Sequence, residues 1–445
     1  MSNISFCPDR ALPPDDALRD VLHNEVHARP PARIRLPALV VYVAVFNEGV
    51  TREQECAHLR QLPDQQELKA EHLKDNFLRL RLPGYTLKWE RHAEFTRYSL
   101  VQPLPQSAEL SASDPELLSA LVTPGQWLQG IPGRTIAAIK LAMVWGDLAQ
   151  VDATMALARQ WLGEHTVVAS VMGSVKQTQA WAVTDFVLRP SGFERMLVVA
   201  PEQLTPTRAG RIAQRLLELE TYRLMALRGL PVAKELAPVL TQSEAQLADI
   251  TARLEGHSSS DQELLDTLVT LAARVERATA THVYRFSATR AYADLVEQRI
   301  AELREQPIPG TQTIGEFMQR RLSPAMATVA ATAQRLSSLS ERVSRTSALL
   351  RTRVDIATEE QNRQLLEKLT RGQDMQLHLQ TTVEGLSIAA ISYYVVSLLL
   401  YGTKALKGAG LPVNPELAVG ALMPLVLWAV WSATRRIHKK LIQHP

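Results

Sequence analysis

Two apolar stretches near the end of the chain dominate its pattern: GLSIAAISYYVVSLLLY over Gly385–Tyr401 and LAVGALMPLVLWAVWSA over Leu417–Ala433. Neither stretch contains a charged residue. A helix of about 17 residues is about 25 Å long, close to the lower limit for crossing the hydrocarbon core of a bilayer. The sequence therefore predicts a transmembrane hairpin in a lipid bilayer. The alternative is a pair of buried helices in a soluble protein.

The charges around the two stretches predict their orientation. A basic cluster follows the second stretch: Arg435, Arg436, His438, Lys439 and Lys440. Arg363, Lys368 and Arg371 precede the first stretch, whereas the connecting turn carries only Lys404 and Lys407, partly offset by Glu416. Basic flanks of membrane helices stay in the cytoplasm. We therefore expect a multi-pass protein with both termini in the cytoplasm.

Composition narrows the classes of partner. The 445 residues carry a formal net charge of only +3, and no basic face interleaved with aromatic residues stands out, so we expect no nucleic-acid partner. Cys7 and Cys56 are the only cysteines, which suits a reducing compartment. The first residues lack a basic segment followed by an apolar one, so we also expect no cleaved signal peptide.

The first part of the chain carries strand signals. Leu39–Phe46 is a β-branched and aromatic run and predicts a buried strand. Tyr85–Val101 predicts one long strand or a hairpin, and a helical stretch is expected before it, up to Arg79. Further strands are predicted over 134–145 and near 166–171, 179–188 and 195–199. Strands interleaved with few helices predict an α+β or α/β domain with a mixed sheet over residues 1–202.

From residue 203 the apolar spacing becomes helical, and we expect a helical stalk domain over 203–384, the hairpin over 385–433 and a basic cytoplasmic tail over 434–445. A seam with alternating steps of three and four residues, typical of a coiled coil, consists of Leu336, Leu339, Val343, Thr346 and Leu350. This seam packs either against the chain's own helices or against another subunit. After it, Glu359–Arg363 is polar on every side and predicts a helix that is either exposed or in close polar contact with another subunit.

Two alternating sets of imidazole and carboxylate residues are candidate metal ligands: His23, Glu25 and His27, and Glu90, His92 and Glu94. In an extended chain each set projects from one face, and such groups can bind a divalent metal. The alternatives are a hydrogen-bonded seam that fixes the N-terminal arm onto the sheet, with Arg29 bridging carboxylates, and acid–base catalysis. Common phosphate-binding, dinucleotide-binding and hydrolase motifs are missing from the sequence, which favours a role other than catalysis. We expect no cofactor other than the divalent metal that the two sets could bind.

Polar residues also mark the first membrane stretch and its ends: Glu384, Tyr393, Ser397, Tyr401 and Lys404. The tyrosines and the serine recur every four residues and therefore form a stripe on one helix face. Polar groups in a bilayer usually face protein or water rather than lipid. The stripe predicts either packing against the second helix of the hairpin or contact with a pore or another subunit.

Several quoted stretches resemble one bacterial family of uncharacterised membrane-anchored proteins, known only as a domain of unknown function. The stretches that carry the resemblance are LHNEVHARP (22–30), WERHAEFTRY (89–98), RAYADLVEQRIAELRE (290–305), LLRTRVDIATEEQN (349–362) and TVEGLSIAAISYYVVSLLLY (382–401). The resemblance covers nearly the whole chain and implies location in a bacterial inner membrane, but no activity, substrate or cofactor.

The order of domains is also similar to CorA-type magnesium channels, in which a cytoplasmic α/β domain precedes long helices and two C-terminal membrane helices. Tyr401 and Gly402 stand where those channels have Tyr-Gly-Met-Asn, and Pro415–Leu417 is similar to their loop. Thr403 and Lys404 replace the Met and Asn, and a ring of lysines would repel cations. The resemblance therefore implies the shape but not the selectivity.

These observations predict a homo-oligomeric, membrane-anchored scaffold or sensor whose cytoplasmic domain binds a partner that the sequence does not identify. A CorA-like ion channel or transporter is the first alternative. A membrane-bound enzyme that uses a divalent metal held by the two His/Glu sets is the second.

Overall fold

The computed structural model describes residues 15–19, 22–23, 31–104, 124–163, 168–173, 179–256, 260–409 and 414–442. The chain divides into two compact units. The first unit comprises Met1–Ser258 and Asp266–Arg345, and the second comprises Ser259–Leu265 and Thr346–Pro445.

Nine strands lie in the first unit within the described residues: β1 (Ala38–Phe46), β2 (Phe77–Leu82), β3 (Tyr85–Arg91), β4 (Phe95–Pro103), β5 (Arg134–Trp145), β6 (Val168–Met172), β7 (Ala180–Thr184), β8 (Glu194–Ala200) and β9 (Glu305–Pro307). They form one sheet in the order β2-β3-β4-β1-β5-β8-β7-β6-β9. Strands β5 and β8 pair in parallel, and the other neighbours are antiparallel. The predicted mixed sheet is confirmed.

The described helices follow the pattern of a few short helices and then long ones: α1 (Arg52–Leu59), α2 (Gly125–Gln129), α3 (Val151–Leu162), α4 (Pro206–Leu227), α5 (Gly229–Glu255), α6 (Asp261–Leu303), α7 (Ile314–Arg321), α8 (Ser323–Gly408) and α9 (Pro415–Ile442). A 3₁₀ turn covers Ala70–Leu73. The predicted order of a sheet domain, long helices and a C-terminal pair of apolar helices is therefore confirmed.

Strand β1 occupies the middle of the sheet because its side chains are apolar on both faces. Alternate residues of a strand point to opposite faces. Val40 and Tyr42 share one core with Leu216 of α4. Val41 and Val43 share the other core with Trp161 of α3. All nine residues of β1 are buried, as expected for a strand covered on both sides.

Two predictions for the sheet domain are refined or corrected, and one strand was not predicted. The stretch Tyr85–Val101 is a hairpin of β3 and β4, which was one of its two alternatives. The helical stretch expected between Pro63 and Arg79 is wrong, because its helical part is the 3₁₀ turn Ala70–Leu73 and Phe77–Leu82 forms β2, which pairs with β3. Strand β9 was not predicted: it follows α6 directly and pairs with β6 over three residues. A three-residue strand has too little periodicity to be recognised in a sequence.

The predicted seam is buried inside the chain. Leu336, Leu339, Val343 and Leu350 are buried, and so are Leu264, Leu268 and Leu271 of α6 and Leu240 and Leu247 of α5. Hydrogen bonds link neighbouring helices around the seam, including those from Arg335 of α8 to Glu244 of α5. Of the two alternatives for the seam, the structure favours packing against the chain's own helices. Residues 359–363 are exposed on all sides within the single chain, and polar contacts with another subunit stay a prediction.

Candidate functional site

In the described part of the chain, two helices are long and apolar enough to cross a membrane. One apolar window lies within Ile314–Gly408 and the other within Pro415–Thr434, and each has a mean hydropathy of 1.8. Only 6 % of each window is buried inside the protein. The core helix of a soluble protein is mostly buried, so this exposure favours a lipid environment over the alternative of soluble core helices.

The predicted polar stripe lies on α8 at the first of these windows: Glu384, Tyr393, Ser397, Tyr401 and Lys404. The two tyrosines and the lysine are exposed, and the glutamate and serine are half-buried. Such exposure is compatible with a partner helix or subunit. Contact with a pore or another subunit by these residues stays a prediction.

Ser392 is the buried polar side chain of this part of α8, and the sequence did not single it out. It is 5 % exposed, whereas its neighbour Tyr393 is 71 % exposed. Among the described residues, the Ser392 hydroxyl has no hydrogen-bond partner. The Ser392 side chain is therefore on a buried face of α8, and the Tyr393 side chain next to it is on an exposed face. The sequence pattern alone does not show which of these two faces is buried.

A row of exposed apolar residues precedes the membrane-crossing part of α8. We call it the α8 stripe, and it consists of Leu365, Leu369, Leu379, Val383 and Leu386, each more than half exposed. Gly372 and Gln376 fill the intervening positions, so the row alternates between steps of four and three residues. This spacing is typical of the face by which a helix meets a partner helix. This second pattern was not among the sequence predictions, which covered the buried seam up to Leu350.

Glu90, the first member of the second candidate metal-binding set, is held by two cations. Its side chain on β3 is buried, with Oε1 lying 3.1 Å from Lys88 Nζ and Oε2 accepting a hydrogen bond of 2.5 Å from Arg97 Nε. Burial raises the pKa of Glu90, but the positive charges of Arg97 and Lys88 outweigh that effect and lower it. Glu90 is therefore an ionised member of a buried ion network.

Glu94 and His92 lie in the turn between β3 and β4 and make different contacts. The Glu94 carboxylate accepts a hydrogen bond from Arg285 Nη2 of α6. The His92 ring stacks on Phe95 with 4.5 Å between ring centroids, and its backbone carbonyl accepts from Asn47 Nδ2 at 2.9 Å. These contacts resemble the predicted hydrogen-bonded seam, although the bridging cations are Arg97 and Arg285.

The first candidate set is only partly described. His23 lies in a short helical segment and is exposed, and Glu25 and His27 lie outside the described residues, as does Arg29. Among the described residues, no group of three or more His, Cys, Asp or Glu side chains is arranged to hold a metal ion. A divalent metal bound by the two sets stays a prediction.

The buried ion network continues from the sheet into the helices. Arg97 Nη1 donates to Glu218 Oε1 of α4 at 2.9 Å, and Arg299 Nε of α6 donates to Glu218 Oε2 at 2.7 Å. Burial raises the pKa of Glu218, but the charges of both arginines outweigh it and lower the pKa to about 2. A cavity of about 30 Å³ beside Lys88 and Tyr42 has room for a water molecule. The network fixes α4 and α6 to the sheet.

A second buried cluster joins β8 to α4. Burial raises the pKa of Glu194, and the negative charge of Glu220 raises it further, while Arg223 opposes both effects. The Arg223 guanidinium pairs with Glu220, and its Nη2 lies 3.9 Å from Glu194 Oε1. Burial and a neighbouring like charge both disfavour the ionised form of a carboxyl group. The site therefore favours the protonated form of Glu194.

Comparisons with known proteins agree with the first resemblance. The model of the family described as "Protein of unknown function (DUF3422)" matches residues 14–441. No curated protein matches the chain, and no solved structure matches it. The likeness to CorA-type channels therefore gains no support from the comparisons. Because the family model spans nearly the whole chain, the protein belongs to this family of proteins of unknown function.

Proposed function

We propose that this protein is a membrane-anchored scaffold that self-associates through the α8 stripe and holds its sheet domain at the cytoplasmic face of a bacterial inner membrane. The observation that carries the proposal is the exposure of the α8 stripe from Leu365 to Leu386. A helix face with apolar residues at this spacing is normally covered by a partner helix. The proposed partner is the same stripe of a second copy of the chain.

Further apolar residues widen the surface that the stripe offers to a second copy. Leu366 and Met375 flank the stripe and are also more than half exposed. Removing these side chains and those of the stripe from water favours association.

The spacing of the stripe continues into the membrane-crossing part of the same helix. Steps of four and three residues lead from Leu386 to Ala390, Tyr393, Ser397 and Leu400. Small and hydroxyl-bearing residues are favoured where membrane helices approach one another closely. One continuous helix face therefore serves for association in water and in lipid, which supports the subunit-facing alternative for Tyr393 and Ser397.

The basic flanks support the proposed orientation. Arg435 and Arg436 follow the second apolar helix, while the turn between the helices carries few basic residues. In this arrangement the association displays several sheet domains side by side, and a cytoplasmic partner that binds more than one of them gains avidity. Alkaline phosphatase and green fluorescent protein fused after Pro445 report the side of the membrane. Phosphatase activity of the fusion would contradict the orientation.

Disulfide cross-linking in membranes tests the association, with a control two residues away. Leu379 and Leu377 are 62 % and 61 % exposed, but two residues rotate a helix by about 200°, so Leu377 lies off the stripe. In a Cys7→Ser background, where Cys56 is buried, we expect Leu379→Cys to form a disulfide-linked dimer under mild oxidation. Leu377→Cys is expected to form no disulfide-linked dimer, although it associates like the wild type.

Sizing by light scattering in mild detergent gives the complementary result. We expect the wild type and Leu377→Glu to be oligomers, and Leu379→Glu combined with Val383→Glu to be a monomer, because two buried charges oppose association. Equal cross-linking at residues 377 and 379, or a monomeric wild type, would refute self-association through this face.

A further inference from the structure

A cleft beside the first turns of α4 is lined by more basic than acidic side chains among the described residues. The cleft has a volume of about 470 Å³ and is lined by Arg208, Arg211 and Arg215 of α4 and by Arg304 at the end of α6. Residues spaced by three and four along a helix share one face, so the three arginines of α4 stand side by side. The acidic residue that lines the cleft is Glu302.

The single carboxylate is already shared among several donors. Glu302 Oε2 accepts from Arg215 Nε at 3.1 Å, and Glu302 Oε1 accepts from Arg299 Nη1 at 2.9 Å and from Gln298 Nε2 at 3.1 Å. Among the described residues, no carboxylate pairs with Arg211 or Arg304. Within the described lining, Arg211 and Arg304 are therefore two positive charges that Glu302 does not balance.

The arginines also oppose one another. Burial lowers the pKa of Arg208, and the positive charges of Arg215 and Arg211 lower it further. The positive charges of neighbouring arginines repel one another. A multivalent anion bound among them would replace this repulsion with attraction between each arginine and the anion. Guanidinium groups bind phosphate oxygens with two parallel hydrogen bonds, which makes arginine the preferred side chain for such anions.

Arg304 occupies a backbone position that does not suit arginine. Its φ is +49°, in the left-handed region that glycine and asparagine adopt at lower cost. The residue joins the end of α6 to β9, and its side chain lines the cleft. The left-handed conformation ends α6 at this point, and it places Arg304 beside the arginines of α4 in the cleft.

We infer that this cleft binds a small phosphorylated anion with at least two negative charges, held by the guanidinium groups of Arg211, Arg304 and their neighbours on α4. The volume lies in the range of small-molecule sites. The site does not depend on the α8 stripe, because every lining residue belongs to the first compact unit. Failure of self-association would therefore leave this inference intact.

Calorimetric titration of the full-length protein in neutral nanodiscs with inorganic pyrophosphate tests the site. We expect saturable binding, and we expect Arg211→Gln and Arg304→Asn each to weaken it by about tenfold or more, the loss of a charged hydrogen-bonding group. Arg277→Gln on the exposed face of α6 removes the same charge elsewhere and is expected to bind like the wild type.

Arg304→Asn separates a binding role from a structural one. Asparagine tolerates the left-handed backbone, so we expect the melting temperature of the ligand-free variant to equal or exceed that of the wild type while pyrophosphate affinity falls. Absence of saturable binding, or equal weakening by Arg277→Gln, would overturn the inference. A fall in the ligand-free melting temperature of Arg304→Asn without a change in affinity would do so as well.

The source of the phosphate is distinguished by competition. Phosphatidylcholine vesicles with and without phosphatidic acid are added to the protein and pyrophosphate. Displacement by the phosphatidic acid vesicles alone assigns the cleft to a lipid headgroup, and lack of displacement assigns it to a soluble phosphorylated compound. Both results require the same arginines, so each supports the anion site.

Discussion

Arg97 Nη1 on β4 lies 2.9 Å from Glu218 Oε1 on α4, and this buried ion pair ties the helical layer to the sheet. Removing one partner of a buried pair leaves the other charge unpaired. We expect Glu218→Gln to lower the free energy of unfolding by about 3 kcal/mol. Glu244→Gln, which breaks an ion pair with Arg335 at the surface, is expected to cost less than about 1 kcal/mol. Urea unfolding followed by tryptophan fluorescence measures both.

If both variants lost the same free energy of unfolding, the buried ion network would not be more stabilising than the surface ion pair. Glutamine at position 218 retains one acceptor for Arg97 or Arg299, so packing changes little and the difference reports the charge.

The Glu194 carboxyl predicts how stability varies at alkaline pH. Its pKa is raised in the folded protein by burial and by Glu220, so the contribution of its protonated form is present at low pH and is lost as pH rises toward the folded pKa. Glu194→Gln keeps a neutral hydrogen-bond donor beside Glu220 and removes the titration. We expect the variant to gain stability relative to the wild type by about 1.4 kcal/mol per pH unit at most between pH 5 and pH 8.

Thermal melts at several pH values test this expectation, with Glu297→Gln on the exposed face of α6 as the control. A difference between Glu194→Gln and the wild type that stays constant with pH would contradict a retained proton.

His58 predicts the opposite behaviour at acidic pH. Burial lowers its pKa to about 4, and its ring stacks on Trp127 at 4.3 Å between centroids. Stabilisation by the neutral ring is therefore present above about pH 6.5 and is lost as pH falls through 4. His58→Phe retains an aromatic ring without a titrating group, so its melting temperature should fall less between pH 7 and pH 5. His378→Phe, at an exposed position of α8, should follow the wild type.

Gly210 marks a place where α4 approaches the N-terminal arm too closely for any side chain. A Cβ at this position would lie 1.6 Å from the Ala32 carbonyl oxygen, whereas a Cβ at Gly125 would meet nothing within 4 Å. We expect Gly210→Ala to destabilise the protein by about 2 kcal/mol or more and Gly125→Ala to be neutral. Equal melting temperatures for the two variants would show that the arm shifts without cost.

Local patterns in the sequence were sufficient for the strands that carry long apolar runs. Leu39–Phe46 was predicted as a strand and is most of β1, and 134–145 is β5. Strand β1 is buried along its whole length and β5 is buried from Ala137 to Met143, and strands covered on both faces have nearly continuous apolar runs. Strand β2 was predicted as part of a helix because FLRLRL is short and charged, and only its pairing with β3 defines it.

The candidate site was less predictable because its partners are distant in the sequence. Glu90 and Glu94 were recognised as notable carboxylates, but Arg97 and Arg285 that pair with them were not. Periodicity along α8 was read correctly as far as Leu350, and the exposed stripe beyond it required knowledge of which faces the chain leaves uncovered.

Strand β9 has a practical consequence for dissecting the protein. Glu305–Pro307 pairs with β6 at one edge of the sheet. Helix α4 covers one face of the same sheet. In a truncated protein ending near residue 202, the edge of β6 would be unpaired and the apolar sheet face normally covered by α4 would be exposed to solvent. We expect such a protein to aggregate on expression. A tractable soluble fragment has to retain the chain as far as Arg345, so that the helices bring their own closing strand with them.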